Sequence, residues 1–498
     1  MLNAEFLAFV LYFAVVLFIG IFFFLRTKSG GEKEYFLGGR SMGPWVTAMS
    51  AQASDMSGWL LMGFPGSILA FGLGQAWIGI GLTIGTIANW LLIARRLRMF
   101  SAAAGDSITL PQYLSNRFAA QSPALRIICA VVFLVFFTVY VASSFVAGTT
   151  VFTSIFSIDE RIAMLIFVLI LICYTFLGGY KAVCWTDFFQ GIMMLVALLA
   201  IPIAICLTQN LDTSLLNQVV TGSDGTQYSF VSNVFSASWQ EIVSGLAWGL
   251  GYFGMPHILV RFMGIKKPSL VKKSATVAII WVVLALVSAI LIAYFGRMLV
   301  GEQLLAAGMQ KMVFIELARM LFPAFIAGLL MAAIIAASMS TADSQLLVAS
   351  SSFTADIYKP VFRKKATDKE VLWVGRAVVI VISVIAYFIA SSKGSGAQAI
   401  MNMVENAWGG FGSAFGAVII LSVFWRRFTY KGAVAGVIAG AVTDVLWLIF
   451  LSKPTGIYEI LPGFVVSMLA AVIVTLLDKK PSEAVSAIYD AAMNPTEE

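Results

Sequence analysis

A carboxylate and several hydroxyl groups interrupt stretches that otherwise look like membrane-spanning helices. Asp55 lies in the sequence Ser-Asp-Met-Ser-Gly at positions 54–58. An acid at membrane depth costs about 3 kcal/mol on insertion scales, so it is a functional-site hypothesis by default. Small polar residues and glycine allow the backbone to open and offer carbonyl oxygens to a cation. We interpret this segment as half of an ion site; the alternative is an aspartate that caps a half-helix through backbone N–H groups.

A second polar run occupies residues 336–344, where five hydroxyl or carboxylate side chains fall within seven positions. Such a run is too polar for a lipid-facing surface, although hydroxyls that bond back to their own helix are a common alternative. Ser340 and Thr341 are adjacent, and together with the carbonyl of Ala337 they are candidates to reach one cation. Asp343 is predicted to be a gate or cavity residue rather than a direct ligand.

A third segment, residues 248–256, alternates aromatic rings with glycines and ends in proline. Trp248, Tyr252 and Pro256 would form flat apolar walls beside exposed backbone, which suits a small zwitterion with an apolar ring. The alternative is ordinary packing or a belt at the membrane interface. Tyr140, in another apolar segment, is equally compatible with a wall of this site and with packing.

The composition indicates the elements that must position these residues. Hydrophobic residues make up 60% of the 498 and charged residues 11%, against roughly 25% charged in soluble proteins. About 13 apolar runs are long enough to cross ~30 Å of hydrocarbon. The sequence therefore predicts an all-α polytopic membrane protein, with residues 1–498 forming one transmembrane transporter domain. An enzyme is disfavoured because His257 is the only histidine and no nucleophile–base cluster is present.

The basic residues indicate an orientation. The net charge is +7, but most Lys and Arg residues fall in alternate connections between the apolar runs. This is the positive-inside pattern. It predicts that the chain lies in the plasma membrane with its N-terminus outside the cell and its C-terminus in the cytoplasm. Cytoplasmic anchoring therefore explains the charge better than nucleic-acid binding.

Glycine and proline interrupt the second and seventh apolar runs. Five spans separate the starts of these two runs, and because five is odd they enter the membrane from opposite sides. Corresponding broken helices in two inverted halves are the sign of a LeuT-type transporter with a site at the membrane midplane. We predict a five-plus-five inverted repeat with one extra N-terminal and two extra C-terminal helices. The predicted parts are 1–41 (helix and loop), 42–208 (first repeat), 238–425 (second repeat), 426–478 (two helices) and 479–498 (cytoplasmic tail).

The chain resembles the sodium:solute symporter family, and most closely its proline-transporting branch. The segments that carry the resemblance are 35–41, 54–63, 174–179, 248–257 and 339–341. The resemblance implies a sodium site formed by Ala53, Asp55, Met56, Ser57, Ala337, Ser340 and Thr341. It further implies that the solute lies beside Trp59, Tyr140, Trp248, Tyr252 and Pro256.

Two further residues match positions that the family uses for coupling or activity, Arg40 and Asp187. From the sequence alone, Arg40 is as compatible with an anchor to lipid headgroups as with the inner mouth of a pathway. For Asp187, which we expect at a cytoplasmic corner, a salt bridge or a helix cap is the simpler explanation.

The resulting hypothesis is a symporter that couples inward sodium movement to uptake of L-proline by alternating access. Sodium is then the coupling ion, and no other cofactor is expected. The lipid bilayer is the only further partner that we expect; neither an obligatory protein partner nor nucleic acid is predicted. One alternative is the same fold with another small organic solute, such as a betaine-like compound or a carboxylate. The other is a membrane sensor that uses the transporter fold.

Overall fold

The computed structural model of the chain describes residues 4–26, 31–177, 179–223, 225–392 and 397–494. These residues are mostly helical, because the long apolar runs can satisfy their backbone hydrogen bonds only internally when they face hydrocarbon. Large apolar side chains such as Phe18, Phe388 and Ile449 are more than 60% exposed on the outside of the molecule. A lipid environment accounts for this exposure, as the composition predicts.

The first half of the chain ends in a long connection. Its helices are α1 (Ala4–Arg26), α2 (Glu32–Leu37), α3 (Pro44–Asp55), α4 (Phe64–Phe71), α5 (Ala76–Ala88), α6 (Arg95–Ala103), α7 (Leu110–Arg117), α8 (Ala124–Phe156), α9 (Glu160–Leu177) and α10 (Tyr180–Thr208). A π-helical turn, Trp59–Gly63, leads into α4. The connection after α10 contains a small antiparallel pair, β1 (Val220–Thr221) and β2 (Gln227–Tyr228).

The second half begins with another interrupted helix. Its helices are α11 (Trp239–Ala247), α12 (Pro256–Gly264), α13 (Val271–Leu299), α14 (Gly301–Ala306), α15 (Val313–Leu321), α16 (Ala324–Ser352), α17 (Asp368–Ser392), α18 (Ala397–Phe411), α19 (Ala417–Phe424), α20 (Tyr430–Phe450), α21 (Ser452–Thr455), α22 (Ile460–Leu477) and α23 (Glu483–Met493). A 3₁₀ turn, Trp248–Phe253, links α11 to α12, and a π-helical turn, Gly412–Gly416, links α18 to α19.

Each predicted apolar run coincides with helix in the described residues. Within them, ten helical stretches are long and apolar enough to cross a membrane alone, and an eleventh forms if α11–α12, bent by 42°, counts as one span. The stretch Trp59–Phe71 is apolar but shorter. The predicted helical membrane fold is confirmed, whereas the number of 13 spans stays a prediction.

Helix α16 forms the centre of the molecule. It packs against α1, α3, α8 and α10, and its residues from 330 to 352 are all buried. The polar run of residues 338–344 therefore faces protein on every side, as its composition predicts. Helix α3, which ends at Asp55, packs against α10, α12, α13 and α16.

Three basic residues that the positive-inside pattern includes do not lie at the surface. Arg40 is 7% exposed, and Arg117 and Arg261 are fully buried. Arg117 donates to the carbonyls of Ser422 and Val485, so it holds the C-terminal helix α23 against the bundle. Of the two alternatives for Arg40, the anchor to headgroups is wrong, because its guanidinium group is bonded to protein.

Candidate functional site

The first break in the site follows α3. Met56 leaves the helix with φ −87° and ψ 78°, and Ser57 N donates to Asp55 O at 3.1 Å. An uninterrupted α-helix would instead pair Ser57 N with the carbonyl four residues earlier, that of Ala53. The break therefore releases the carbonyl of Ala53 from its helix.

Two hydroxyls from α16 reach the released carbonyl. Ser340 Oγ lies 2.8 Å and Thr341 Oγ1 3.5 Å from Ala53 O. Ser340 Oγ also lies 3.2 Å from Ala337 O. Four of the oxygens predicted to bind sodium are thus brought together, two carbonyls and two hydroxyls from two different helices. Hard oxygen ligands of this kind suit a hard cation.

The carboxylate of Asp55 is directed to the other broken helix. Tyr252 donates its hydroxyl to Asp55 Oδ2 at 2.6 Å, and among the described residues Asp55 Oδ1 has no hydrogen-bond partner. Asp55 is fully buried. Among the described residues, the hydrogen bond from Tyr252 is the one that stabilises its carboxylate. Asp55 links α3 to the turn after α11, and it is not the cap of a half-helix that the alternative interpretation described.

The remaining residues of the first break surround the backbone of Asp55. Tyr140 donates its hydroxyl to Asp55 O at 3.4 Å, and Trp59 Nε1 lies 3.5 Å from the same oxygen. Ser57 Oγ accepts from Trp59 N at 3.4 Å. A Cβ at Gly58 would overlap Ala147 and lie 2.9 Å from Ser338 Oγ. Glycine is therefore what allows the break to approach α8 and α16 closely.

The second break brings its glycines into contact with other backbone. A Cβ at Gly249 would overlap the carbonyl of Gly81 in α5, and one at Gly254 would overlap the carbonyl of Phe411. Pro256 opens α12 at its first turn, where its missing N–H costs nothing. The glycine alternation is thus explained by close packing of the turn, with Trp248 and Tyr252 buried on its inner side.

Aromatic rings from both breaks form one cluster. The ring of Trp248 lies 6.4 Å from that of Trp59 and 5.2 Å from that of Tyr458. Tyr252 packs edge-on to Trp408 at 5.0 Å, and Trp408 Nε1 donates to Trp248 O at 2.7 Å. We did not predict Trp408 or Tyr458 from the sequence. The signal for Trp408 was available, since residues 408–412 alternate aromatics and glycines as residues 248–254 do.

Asp187 belongs to a separate buried network, two turns inside α10. Its Oδ2 accepts from Ser50 Oγ at 2.6 Å and from Arg261 at 3.2 Å, and Arg261 also donates to Ser344 Oγ. Both members of the ion pair are fully buried. The salt-bridge interpretation is confirmed, but not the location at a cytoplasmic corner. Asp343 is nearby and also buried, and neither of its carboxylate oxygens has a hydrogen-bond partner among the described residues.

Arg40 ties together the ends of three elements. It donates to Asp106 Oδ1 at 2.7 Å, to Ser107 O at 3.0 Å and to the carbonyl of Met263 at the end of α12. Burial lowers the pKa of Arg40, and Asp106 partly offsets this effect. Burial acts to raise the pKa of Asp106, but hydrogen bonds from Lys33 and Arg40 outweigh it, so this pKa lies below its ordinary value. The arginine therefore joins the loop before α3 to the loop between α6 and α7.

The sequence matches known families and proteins along nearly its whole length. The model of the sodium:solute symporter family matches residues 35–440. The sodium/proline symporter of Haemophilus influenzae is 41% identical over 498 residues, with 98% of each chain covered. The high-affinity proline transporter PutP of Bacillus subtilis is 42% identical, covering 95% of this chain and 98% of that one. The osmoregulated proline transporter OpuE of the same organism is 41% identical, with 95% of each covered.

The fold is similar to those of solved transporters. A sodium-coupled sialic acid symporter in a substrate-bound outward-open state aligns with a TM-score of 0.77 at 20% identity, covering 96% of this chain and 99% of that one. A nucleobase-cation-symport-1 family transporter in a closed conformation aligns with a TM-score of 0.55 at 15% identity, covering 93% and 99%. The LeuT-type architecture predicted from the two broken helices is confirmed.

Proposed function

Because the chain belongs to the sodium:solute symporter family, a family of transporters with sodium as the coupling ion, we propose that it moves L-proline into the cell together with sodium. The observation that carries the proposal is the meeting of Ser340 and Thr341 with the freed carbonyl of Ala53. The solute is inferred from relatives named as proline transporters that share about two fifths of the residues over the whole length.

Sodium binds between α16 and the first break in this proposal. Its ligands are the carbonyls of Ala53, Met56 and Ala337 and the hydroxyls of Ser340 and Thr341. In the structure these hydroxyls donate to the carbonyls of Ala53 and Ala337; when the ion binds, the oxygens of both groups turn their lone pairs to it. The ion thereby joins α3 to α16, with Asp55 and Ser57 setting the geometry of the break.

Proline lies against the aromatic cluster. Its apolar ring packs on Trp59, Tyr140 and Trp248, and its charged groups meet Tyr252 and the backbone before Pro256. The carboxylate of Asp55, held by Tyr252, is the nearest acidic group of this site and complements the amino group of the solute. Because Tyr252 contacts both Asp55 and the aromatic cluster, it is the physical link between ion and solute.

Coupling follows from differential affinity. A ligand shifts a conformational equilibrium only by binding one state more tightly than the other, so sodium stabilises the outward-open state in which α3 and α16 are joined. Sodium must then tighten proline binding by the factor by which proline tightens sodium binding. The membrane potential supplies about 2.3 kcal/mol per charge per 100 mV. Arg40 and Asp187, which connect α12 to neighbouring elements, act as coupling or gating residues.

The protein operates in the plasma membrane with its N-terminus outside and its C-terminus in the cytoplasm. Alternating access moves the two inverted repeats, 42–208 and 238–425, relative to each other. The bundle formed by 426–478 and the N-terminal helix flank these repeats, and the tail from residue 479 lies on the cytoplasmic side. The arrangement of basic connections supports this orientation.

Uptake of labelled L-proline into proteoliposomes tests the function. Sodium, lithium and proton gradients are imposed separately, and only the sodium gradient is expected to concentrate proline. Asp55→Asn is expected to lower sodium-driven uptake by about tenfold or more, equivalent to ~1.4 kcal/mol. Asp212→Asn, an exposed acid in the connection after α10, serves as the matched control.

Three outcomes contradict the proposal. Proline affinity that does not change when sodium is removed rules out the coupling scheme. Sodium-driven uptake of a betaine-like compound or a carboxylate, with no uptake of proline, assigns another solute to the same fold. Proline binding without any transport indicates a sensor.

A further inference from the structure

A second group of buried acids lies behind the aromatic cluster, outside the proposed sodium site. Asp444 in α20 is 1% exposed and Glu459, immediately before α22, is 2% exposed. A Cβ built on Gly409 of α18 would lie 3.1 Å from Asp444 Oδ1 and 3.2 Å from Glu459 Cγ. The two acids therefore lie next to the same glycine of a third helix. Glu405 lies one turn earlier in α18 and contributes a third carboxyl group.

These acids lack the partners that buried charges need. Ser413 Oγ donates to Asp444 Oδ1 at 3.0 Å, but Asp444 Oδ2 and Glu459 Oε1 have no hydrogen-bond partner among the described residues. Within the same residues, no Lys or Arg forms an ion pair with either acid. Ionised carboxylates removed from water without a counter-charge are strongly unfavourable, and two such charges close together are more so.

Neutralisation can come from a proton or from a metal cation. The described residues contain no group of three or more acid, histidine or cysteine side chains arranged to hold a metal. Among the described residues, Ser413 is the one hydroxyl bonded to Asp444. A proton needs only one carboxyl oxygen and no ligand shell. We propose that Asp444 and Glu459 form a proton-binding site that takes up one proton from water and holds it on one of the two carboxyl groups.

The surrounding groups couple this proton to the solute site. Tyr458, next to Glu459 in the chain, donates its hydroxyl to Glu405 O at 2.7 Å and packs against Trp248 at 5.2 Å. Loss of the proton adds negative charge beside this wall of the aromatic cluster. This coupling rests on the proposed function: with the solute against the aromatic cluster, the proton site makes the affinity for solute dependent on pH without contributing a sodium ligand.

The other titratable groups on the neighbouring elements leave this assignment in place. Tyr140 of α8 is one of the titratable groups that interact electrostatically with Tyr458. Glu241 of α11 is exposed, and its side chain accepts from Ser238 at the start of its own helix. Lys453 of α21 is exposed to solvent. Glu405 adds a third negative charge when it is ionised, which further favours a proton on the pair.

Infrared difference spectroscopy on the full-length protein tests the site directly, because a protonated buried carboxyl group has a carbonyl-stretch band that a carboxylate lacks. The wild-type spectrum at neutral pH is compared with that of the double variant Asp444→Asn/Glu459→Gln. The expected result is the loss of one such band, and the single variants identify which acid carries the proton. The control is Asp212→Asn/Glu302→Gln, which removes two exposed acids and is expected to leave the protonated bands unchanged.

Two results overturn the proposal. If the double variant loses no protonated-carboxyl band, both acids are ionised. If addition of sodium or potassium removes from the wild type the band that the double variant lacks, the site takes a metal cation. Ser413→Ala is a milder variant, because it keeps every charge. If Asp444 carries the proton, this variant is expected to shift the frequency of the band. If Glu459 carries it, the band is expected to stay in place. None of these readouts depends on proline transport, so they remain valid if the proposed solute is wrong.

Discussion

At the scale of single residues, the structure separates groups that the sequence places in one site. Ala53 and Asp55 are two positions apart on a helix, and at about 100° per residue their side chains point to nearly opposite faces. The carbonyl of Ala53 meets Ser340 of α16, whereas the carboxylate of Asp55 meets Tyr252. Asp55 therefore acts in this structure as a link between the two breaks, with its Oδ2 bonded to Tyr252.

The proposed sodium site predicts a specific effect of removing one hydroxyl. Ser340→Ala deletes an oxygen that lies 2.8 Å from Ala53 O, so the sodium concentration that gives half-maximal proline uptake should rise about tenfold, which corresponds to ~1.4 kcal/mol. Ser338→Ala is the control, because Ser338 Oγ donates to Ile334 O of its own helix at 2.9 Å. Equal sodium dependence of the two variants would exclude Ser340 as a ligand.

The buried pair of Asp187 and Arg261 predicts a loss of stability on mutation. Asp187→Asn leaves the Arg261 guanidinium buried without its counter-charge, which costs about 3–5 kcal/mol in comparable cases. The thermal unfolding temperature of the purified protein measures this effect. Glu370→Gln, which breaks the exposed pair with Arg363, should change the unfolding temperature little. A similar small change in Asp187→Asn would mean that the buried pair is not formed.

At the scale of elements, the two broken helices are the features that the sequence located best. Glycine and proline marked both breaks, and the structure gives the reason for the glycines: the backbone of each break approaches another helix too closely for a Cβ. Trp408 and Tyr458, which complete the aromatic cluster, come from elements outside these breaks. Their contribution depends on how α18 and α22 pack, which residue patterns along one helix do not specify.

Close packing at the first break predicts a strong effect of one methyl group. In Gly58→Ala the new Cβ meets Ala147 and Ser338, and overpacking of this kind costs about 1–3 kcal/mol. The break should be displaced from α16. Sodium-dependent uptake should therefore fall strongly, and the unfolding temperature should fall to a smaller extent. Gly43→Ala, at the start of α3, is the matched control because its Cβ would meet nothing within 4 Å. Sodium-dependent uptake and unfolding temperature are measured for both; unchanged uptake in Gly58→Ala would show that the break tolerates displacement.

At the scale of the whole molecule, the chain is a helical membrane protein whose two broken helices meet through Asp55 and Tyr252. The polar groups that do the proposed work are collected on α3, α16 and the turn after α11, and apolar side chains cover the outside. Most basic residues lie in the connections between the apolar runs, but Arg40, Arg117 and Arg261 bind protein groups in the interior. The remaining loop charges still predict the orientation in the membrane.

Cysteine labelling tests this orientation. In a variant without the four native cysteines, Asp212→Cys should react with a membrane-impermeant maleimide in intact cells, because the connection after α10 is predicted to lie outside. Lys480→Cys, in the tail, should react only after the cells are permeabilised. Both positions are exposed, so access to reagent depends on the side of the membrane alone. The reverse pattern would invert the topology and with it the direction of the proposed transport.

The family resemblance implied Ala53 as a partner, whereas the sequence by itself indicated a helical membrane protein, the positions of both broken helices, and Ser340 and Thr341 as candidate ligands. These follow from local properties, since apolar length, glycine content and unusual polarity are written in consecutive residues. Only the tertiary structure decided that Asp55 bonds to Tyr252, that Arg261 is an interior ion-pair partner of Asp187, and that Asp444 and Glu459 lie next to the same glycine. Each of these pairs joins residues that are distant in the chain, so the contact exists only through the packing of separate helices.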